Sequence, residues 1–303
     1  MHIPDGFLST PVWAALDAVA VPTTALLARR AQRDFDPART PLLGVAGAFV
    51  FAAQMINFPV GVGTSGHLVG GALLAYTLGP APAAITMTAI LAIQALVFQD
   101  GGVLALGANV LNMAFLGVLA AYVPFHLWGG GRWRKSAIFL GGVFSVLVAA
   151  MAAVAELLAS GIRIPGPVLG LSMGLFVVSA ALEGAITVAV VGALEAMQPD
   201  FVRKPSARGS FALVALGATA VLLAVAGVMV ASAHPDGLEK LARDIGIASR
   251  ERVLLATPLA DYQAGFFASP WLRKAAAGLA GLALILGACL LLGRFAARKR
   301  GGA

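Results

Sequence analysis

The sequence predicts an all-α protein, a polytopic membrane helix bundle with about nine passes and an extracytoplasmic N-terminus. Of its 303 residues, 59% are hydrophobic and only 12% are charged. The mean hydropathy of +0.90 is far above that of soluble domains. Long apolar runs recur along the chain, and the basic residues lie in short segments between them. That distribution is the one that orients helices in a bilayer.

The basic character of the chain fits a membrane better than nucleic acid. The net charge is +7, but a nucleic-acid surface needs Lys and Arg clustered in soluble segments. Here they concentrate at 29–39, 132–135, 203–208 and 294–300, beside apolar runs. We therefore expect the lipid bilayer as a partner, no nucleic acid, and these four segments in the cytoplasm.

Apolar runs define the predicted passes, since a span needs roughly 20 residues. Full or nearly full spans lie at 11–28, 41–58, 82–98, 103–123, 137–160, 168–193, 211–231 and 271–292. A ninth run, 68–78, would cover only about 16 Å of a hydrocarbon core about 30 Å thick. It must still count as a crossing, because otherwise the later basic segments would lie on the wrong side.

The Gly-rich stretch 59–66 before this short run cannot be a lipid-facing helix. Non-helical backbone at membrane depth occurs only where protein buries it or water lines it, and many transporters bind substrate at such breaks. We expect His67 to begin the short helix near the bilayer midplane. A histidine at that depth indicates a functional role, although it could instead bond neighbouring carbonyl groups and shape the loop.

The chain begins with Met1, His2, Ile3 and Pro4, without the basic leader or cleavage site of a secretion signal, so we expect this start to be retained. The Met1 α-amine, the His2 amide and the His2 Nδ1 could then form two fused chelate rings on a divalent metal. Planar nitrogen donors suit Ni(II) or Cu(II), and His67 could supply the fourth. A loose start in which His2 has no role is the alternative.

Polar side chains in or beside the apolar runs could line the same cavity and orient the metal ligands. The alternative is that they join membrane helices by hydrogen bonds. The candidates are Asn57, Thr64, Ser65, Gln94, Asn109 and Asn112.

A polar stretch after residue 196 divides the chain. We predict a metal-capture transmembrane domain at 1–196, a cytoplasmic linker at 197–210 and a two-helix module with an extracytoplasmic loop at 211–303. In that loop, Asp236 is a candidate N-cap of a short amphipathic helix. No Gly-x-x-x-x-Gly-Lys-Ser/Thr pattern occurs, so we expect no ATP site in this chain and a partner that supplies energy for any uptake.

Three stretches resemble the signatures of the NikM/CbiM family, the membrane substrate-capture subunits of energy-coupling-factor nickel and cobalt transporters. They are 1–9 (MHIPDGFLS), 63–71 (GTSGHLVGG) and 100–113 (DGGVLALGANVLNM). The segment 234–240 (HPDGLEK) is similar to the PDGLE or NikN-like module fused to some members. The resemblance implies metal ligation by Met1, His2 and His67. It also implies a transmembrane coupling (T) subunit, cytoplasmic ATPase (A) subunits and a multi-pass location in the cell (plasma or inner) membrane.

The MHIPDG start combined with GTSGH is closer to the nickel branch of that family. The resemblance therefore implies Ni(II) as the transported substrate, with Co(II) transport for cobalamin synthesis as the alternative. Two other functions remain open on the residues alone. An intramembrane metallohydrolase could use His67 with Glu183, but no His-Glu-x-x-His pattern supports it. A scaffold for other subunits would not need His67.

Overall fold

A computed structural model describes residues 1–34, 36–61, 63–199, 201–202 and 211–298. Most of the predicted linker 197–210, with its basic residues at 203–208, lies outside the described residues. The α-helices of the described part follow one another along the chain as α1 Thr10–Asp34, α2 Thr40–Gln54, α3 Gly71–Leu78, α4 Pro80–Ile93, α5 Leu106–Asn109, α6 Val118–Trp128, α7 Arg134–Ala159, α8 Gly166–Met197, α9 Phe211–Val225, α10 Gly237–Asp244 and α11 Pro270–Arg298. α4 continues as a π-helix at Gln94–Phe98, and another at Val110–Gly117 joins α5 to α6.

Within the described residues, seven helical stretches are long and apolar enough to cross a membrane. They are Thr10–Arg33, Pro80–Phe98, Leu106–Trp128, Arg134–Ala159, Gly166–Met197, Phe211–Met229 and Pro270–Ala296. The predicted passes 41–58 and 68–78 correspond to the shorter helices α2 and α3, of 15 and 8 residues. The prediction of an all-α, multi-pass membrane protein is confirmed.

A small antiparallel hairpin, β1 Phe58–Gly61 and β2 Thr64–Gly66, occupies the Gly-rich stretch. It explains why α2 ends at Gln54, four residues earlier than the predicted span. Pro59 biases the residue before it toward extended backbone, so the helix cannot run through Phe58.

The prediction that His67 begins the short helix is wrong, because α3 begins only at Gly71. Gly70 has φ 76°, a left-handed conformation that keeps the preceding residues out of the helix. The Glu183 carboxylate of α8 accepts the backbone N–H groups of Val69 and Gly70 at 2.7 and 2.9 Å. His67 therefore lies in a non-helical segment held between the hairpin and α3.

Two apolar cores organise the molecule. The larger one includes residues of α2, α3, α4, α9 and α11, with Phe51 and Phe98 fully buried in it. The smaller one joins the N-terminal residues Ile3 and Phe7 to Leu238 of α10 and to residues of α7 and α8. The N-terminal segment is thus packed into the protein beneath the loop of the C-terminal part.

That loop is fixed at the start of α10. Asp236 Oδ1 accepts the N–H groups of Leu238 and Glu239 at 2.8 Å, and the Glu239 carboxylate accepts the Asp236 N–H at 3.2 Å, so the predicted N-cap is confirmed. Ser65 of β2 donates its N–H to the Pro235 carbonyl at 2.8 Å. The hairpin before His67 and the segment that carries Asp236 are therefore joined along their backbones.

Candidate metal site

The N-terminal segment is held in place by hydrogen bonds of the Ile3 backbone and of the Asp5 side chain. Asn109 accepts the Ile3 N–H at 2.8 Å through Oδ1 and donates to the Ile3 carbonyl at 3.0 Å through Nδ2. The Asp5 carboxylate accepts the N–H groups of three consecutive residues just before α5, namely Val103, Leu104 and Ala105. These contacts determine where the two residues before Ile3 lie.

The Met1 amine lies 2.7 Å from Nε2 of His67. The Nδ1 of His67 lies 3.1 Å from the Leu68 carbonyl, to which it can only donate, so the proton belongs on Nδ1 and the lone pair on Nε2. A hydrogen bond of this kind commonly orients a metal-binding imidazole. Metal–nitrogen bonds of about 2.0 Å put neighbouring corners of a square plane about 2.8 Å apart, so the two nitrogens have the spacing of adjacent ligands.

His2 is buried, and its ring stacks on that of His67 with centroids 5.7 Å apart and planes 10° apart. Its Nδ1 lies 3.0 Å from Asp100 Oδ1, whereas its Nε2 is buried and has no hydrogen-bond partner among the described residues. The chelate predicted for His2 uses Nδ1. Metal binding in that way would exchange the contact with Asp100 for a bond to the metal.

A residue of the C-terminal part completes the arrangement. Asp236 Oδ2 lies 2.6 Å from the Met1 amine and 3.8 Å from His67 Nε2. Burial alone would raise the pKa of Asp236, but the positive amine and His67, together with hydrogen bonds, outweigh burial and lower that pKa to about 2. The carboxylate is therefore a permanent negative charge at the site.

A second contact from the C-terminal part reaches Asp100. The Tyr262 hydroxyl donates to Asp100 Oδ2, and its ring stacks on Phe98 with centroids 4.8 Å apart. Burial would raise the pKa of Asp100, but the His2 ring and the Tyr262 hydroxyl outweigh it and hold that pKa well below its usual range. Burial, then the charge of Asp100, raises the pKa of Tyr262 well above its usual value, so the phenol keeps its proton.

A cavity of about 300 Å³ lies beside His2 and His67, between the N-terminal segment and the C-terminal loop. Among the described residues that line it, acidic side chains outnumber basic ones such as Arg243. Such a lining raises the local concentration of cations. The acidic lining residues are Asp100, Asp236, Glu239, Glu251 and Asp261.

The polar residues predicted to orient the ligands lie in different places. Asn109 holds Ile3, as described, and Asn57 lines the cavity. Gln94 donates to Gln54 at 2.8 Å and to the Tyr262 hydroxyl at 3.1 Å, so it supports the C-terminal loop. Asn112 donates to Glu156 between helices, and its hydrogen bond is to neither Met1 nor the histidines.

Thr64 and Ser65 point their hydroxyls at the C-terminal segment instead of the histidines. The Thr64 hydroxyl donates to the Pro235 carbonyl at 3.0 Å, and that of Ser65 donates to the His234 carbonyl at 2.7 Å. Their direct role toward a metal stays a prediction. In the structure, the two hydroxyls bind the backbone of the two residues just before Asp236.

The sequence reasoning missed Asp5, Asp100 and Tyr262 altogether, and it assigned Asp236 only as a helix cap. Asp5 and Asp100 lie inside two of the three stretches that carry the resemblance, which was an available signal. Across the described residues, no three His, Cys, Asp or Glu side chains lie close enough together to hold a metal by themselves.

With this geometry established, known proteins can be compared. The family CbiM, "Cobalt uptake substrate-specific transmembrane region", matches residues 2–201, and the PDGLE domain matches residues 210–298. The chain belongs to the CbiM family. It is a multi-pass membrane protein of that family, and its C-terminal part matches a second, separately recognised domain.

Relatives of the same architecture span the whole chain. The NikMN protein of Archaeoglobus fulgidus is 34% identical over 98% of this chain and 99% of its own. A "Fused nickel transport protein NikMN" of Rhodobacter capsulatus is 28% identical over the full length of both chains. A "Cobalt transport protein CbiM" of Thermosediminibacter oceani is 33% identical over 64% of this chain and 84% of its own.

A solved structure supports the fold of the larger part. The "Crystal Structure of an Truncated Transition metal Transporter" is 34% identical, with a TM-score of 0.57, and the match covers 64% of this chain and 98% of that one. Membership favours transport over the hydrolase alternative. Glu183, the carboxylate that alternative needed, is engaged by the backbone of Val69 and Gly70.

Proposed function

We propose that the chain is the substrate-capture subunit of an energy-coupling-factor importer for a divalent transition metal. Family membership already makes it a component of a metal transport system and not an enzyme. The proposal adds the metal ligands, the preferred metal and the partners. It is supported above all by the 2.7 Å approach of the Met1 amine to His67 Nε2.

In this proposal four nitrogens bind the metal in one plane: the Met1 amine, the His2 amide and Nδ1, and His67 Nε2. The amide must lose its proton to bind, which suits metals that favour square-planar nitrogen sites. The acidic cavity beside the histidines collects the cation before it is bound.

Ni(II) is the preferred substrate in this proposal, and Co(II) is the alternative. Two relatives that match along the whole chain carry the name NikMN, whereas cobalt transport is named for a relative that matches only the larger part. A four-nitrogen plane also suits Ni(II) electronically. Cu(II) would fit the same donors, so the choice depends on more than the ligands.

The partners and orientation follow from the same proposal. A transmembrane coupling (T) subunit and cytoplasmic ATPase (A) subunits would supply the energy, in the plasma membrane, with the N-terminus outside. The division into a capture domain at 1–196, a cytoplasmic linker at 197–210 and a module at 211–303 is part of it. The matched ranges 2–201 and 210–298 support such a division.

Metal analysis of the purified protein tests this function. The protein is prepared with a free N-terminus and dialysed against equal concentrations of Ni(II) and Co(II). We expect one metal per chain, with Ni(II) in excess. An excess of Co(II) would overturn the nickel assignment, and retention of neither metal would overturn capture itself.

A further inference from the structure

The C-terminal part of the chain places a charged side chain, that of Asp236, against the Met1 amine. A domain that only packed beside the N-terminus would not need this contact. Asp236 Oδ2 contacts the Met1 amine at 2.6 Å, and both groups are largely buried, with side-chain exposures of 13% and 10%. Burying a charged pair is unfavourable unless the two groups are well matched. A contact between residues 1 and 236, at such distant points of the chain, therefore calls for an explanation.

The two oxygens of Asp236 have different partners. Oδ1 caps α10 through the N–H groups of Leu238 and Glu239, whereas Oδ2 faces Met1 and His67. Capping needs only one oxygen acceptor, and Ser, Asn or Asp can supply it equally well. The negative charge and the second oxygen are not needed for the helix, so they are available to the site.

The position of Oδ2 fits a role toward a bound cation. It lies 2.6 Å from the amine and 3.8 Å from Nε2, within coordination reach of a metal bound to both nitrogens. A metal that displaces the amine proton would leave a buried carboxylate without its cationic partner unless the metal itself became that partner. A deprotonated amide lowers the charge of a divalent complex by one, so the carboxylate would still face a single positive charge.

We propose that Asp236 is a ligand of the metal site, with its carboxylate contacting the bound divalent cation from outside the plane of the four nitrogens. This inference rests on the proposed function, which supplies those nitrogens. It makes the C-terminal module part of the binding site. The hairpin hydroxyls of Thr64 and Ser65, which hold the carbonyls of His234 and Pro235, are then the contacts that keep Asp236 in place.

The test compares Asp236→Asn and Asp236→Ser with the wild type in the full-length protein. Both variants keep an N-cap acceptor for α10, and both lose the carboxylate charge. Asp244→Asn is the matched control, since Asp244 is on the same helix and pairs with Lys240 at 3.0 Å. Thermal unfolding and size-exclusion chromatography establish that all four proteins are folded.

Two measurements are made on each protein: Ni(II) affinity by competition with a chromophoric chelator, and the visible d–d band after loading with Cu(II) as a spectroscopic probe. We expect both Asp236 variants to bind Ni(II) about 10- to 100-fold more weakly, in the range of partners that tune metal ligands. Their Cu(II) band should shift to shorter wavelength, because an oxygen donor outside the plane is lost. Asp244→Asn should match the wild type in both.

A Ni(II) affinity within twofold of the wild type in Asp236→Asn and Asp236→Ser overturns the inference. An unchanged Cu(II) band also overturns it, because the carboxylate would then not contact the metal. Failure of the proposed function looks different. In that case the wild type binds no metal, or His67→Ala binds as tightly as the wild type.

Discussion

At the scale of single residues, the site depends on the neighbours that orient each proposed metal ligand. His67 donates from Nδ1 to the Leu68 carbonyl, so its Nε2 lone pair points at the Met1 amine. The His2 ring is held by Asp100, and Asp100 by Tyr262. Each donor is thus oriented by a neighbour, which is the usual construction of a selective metal site.

Replacement of His67 by Ala should remove one of the four nitrogen donors. We expect the Ni(II) affinity of the purified protein to fall by at least about 100-fold, more than loss of an orienting partner. His126→Ala is the control, because His126 stacks on Tyr122 in α6, away from the site. Equal losses in the two variants would contradict the assignment of His67.

Replacement of Asn109 by Ala should release the backbone of Ile3 while leaving every proposed ligand in place. The buried Ile3 N–H would lose its partner, a destabilisation of about 1–3 kcal/mol, whereas the Ile3 carbonyl would keep the Gly102 N–H at 2.8 Å. We expect a loss of about 10-fold in Ni(II) affinity, measured by the same competition. Asn112→Ala is the matched control, since Asn112 bonds Glu156 and not Ile3. A normal affinity in Asn109→Ala would mean that the N-terminal segment is held in other ways.

At the scale of elements, the position of His67 depends on the turn at Gly70, which prevents α3 from beginning earlier. Gly70 has φ 76°, and a Cβ there would lie 2.5 Å from Val50 Cγ1. Glu183 ties the same turn to α8. The non-helical segment that carries His67 is therefore fixed at its end by one glycine and one buried carboxylate.

Gly70→Ala tests this constraint against Gly161→Ala. Gly161 follows α7 with φ 80°, so both substitutions cost roughly 1–2 kcal/mol of backbone strain, but the space around Gly161 is open. We expect Gly70→Ala to lower the unfolding temperature in detergent more than Gly161→Ala, because it adds the clash with Val50. It alone should weaken Ni(II) binding. If the two variants behaved alike, the position of His67 would not depend on this turn.

The sequence could predict the elements but not all of their ends. Apolar runs identify the long helices because length and composition alone determine a membrane span. The start of α3 escaped prediction, since a left-handed Gly70 is not visible in composition or spacing. Met1, His2 and His67 could be predicted as metal ligands because they lie in short local patterns, and that assignment stays a prediction. The approach of Asp236 to Met1 could not be predicted, because it depends on how distant helices pack.

At the scale of the whole molecule, two parts of the chain meet at the N-terminus. Ile3 and Phe7 share a buried core with Leu238 and Leu241 of α10, and the carboxylate of Asp236 lies beside the amine. The matched CbiM region and the PDGLE domain therefore share a buried core and meet beside the candidate site.

The most direct measurement of the central claim blocks the amine. A protein with four Ala residues added before Met1, which move His2 too far from the new terminus to chelate with it, is compared with the unextended protein and with one that carries the same four residues added after Ala303. We expect the N-terminal extension to abolish tight Ni(II) binding, because it removes the amine donor and displaces His2 from the second position, while the C-terminal extension binds normally. Unchanged Ni(II) affinity in the N-terminally extended protein would contradict the account.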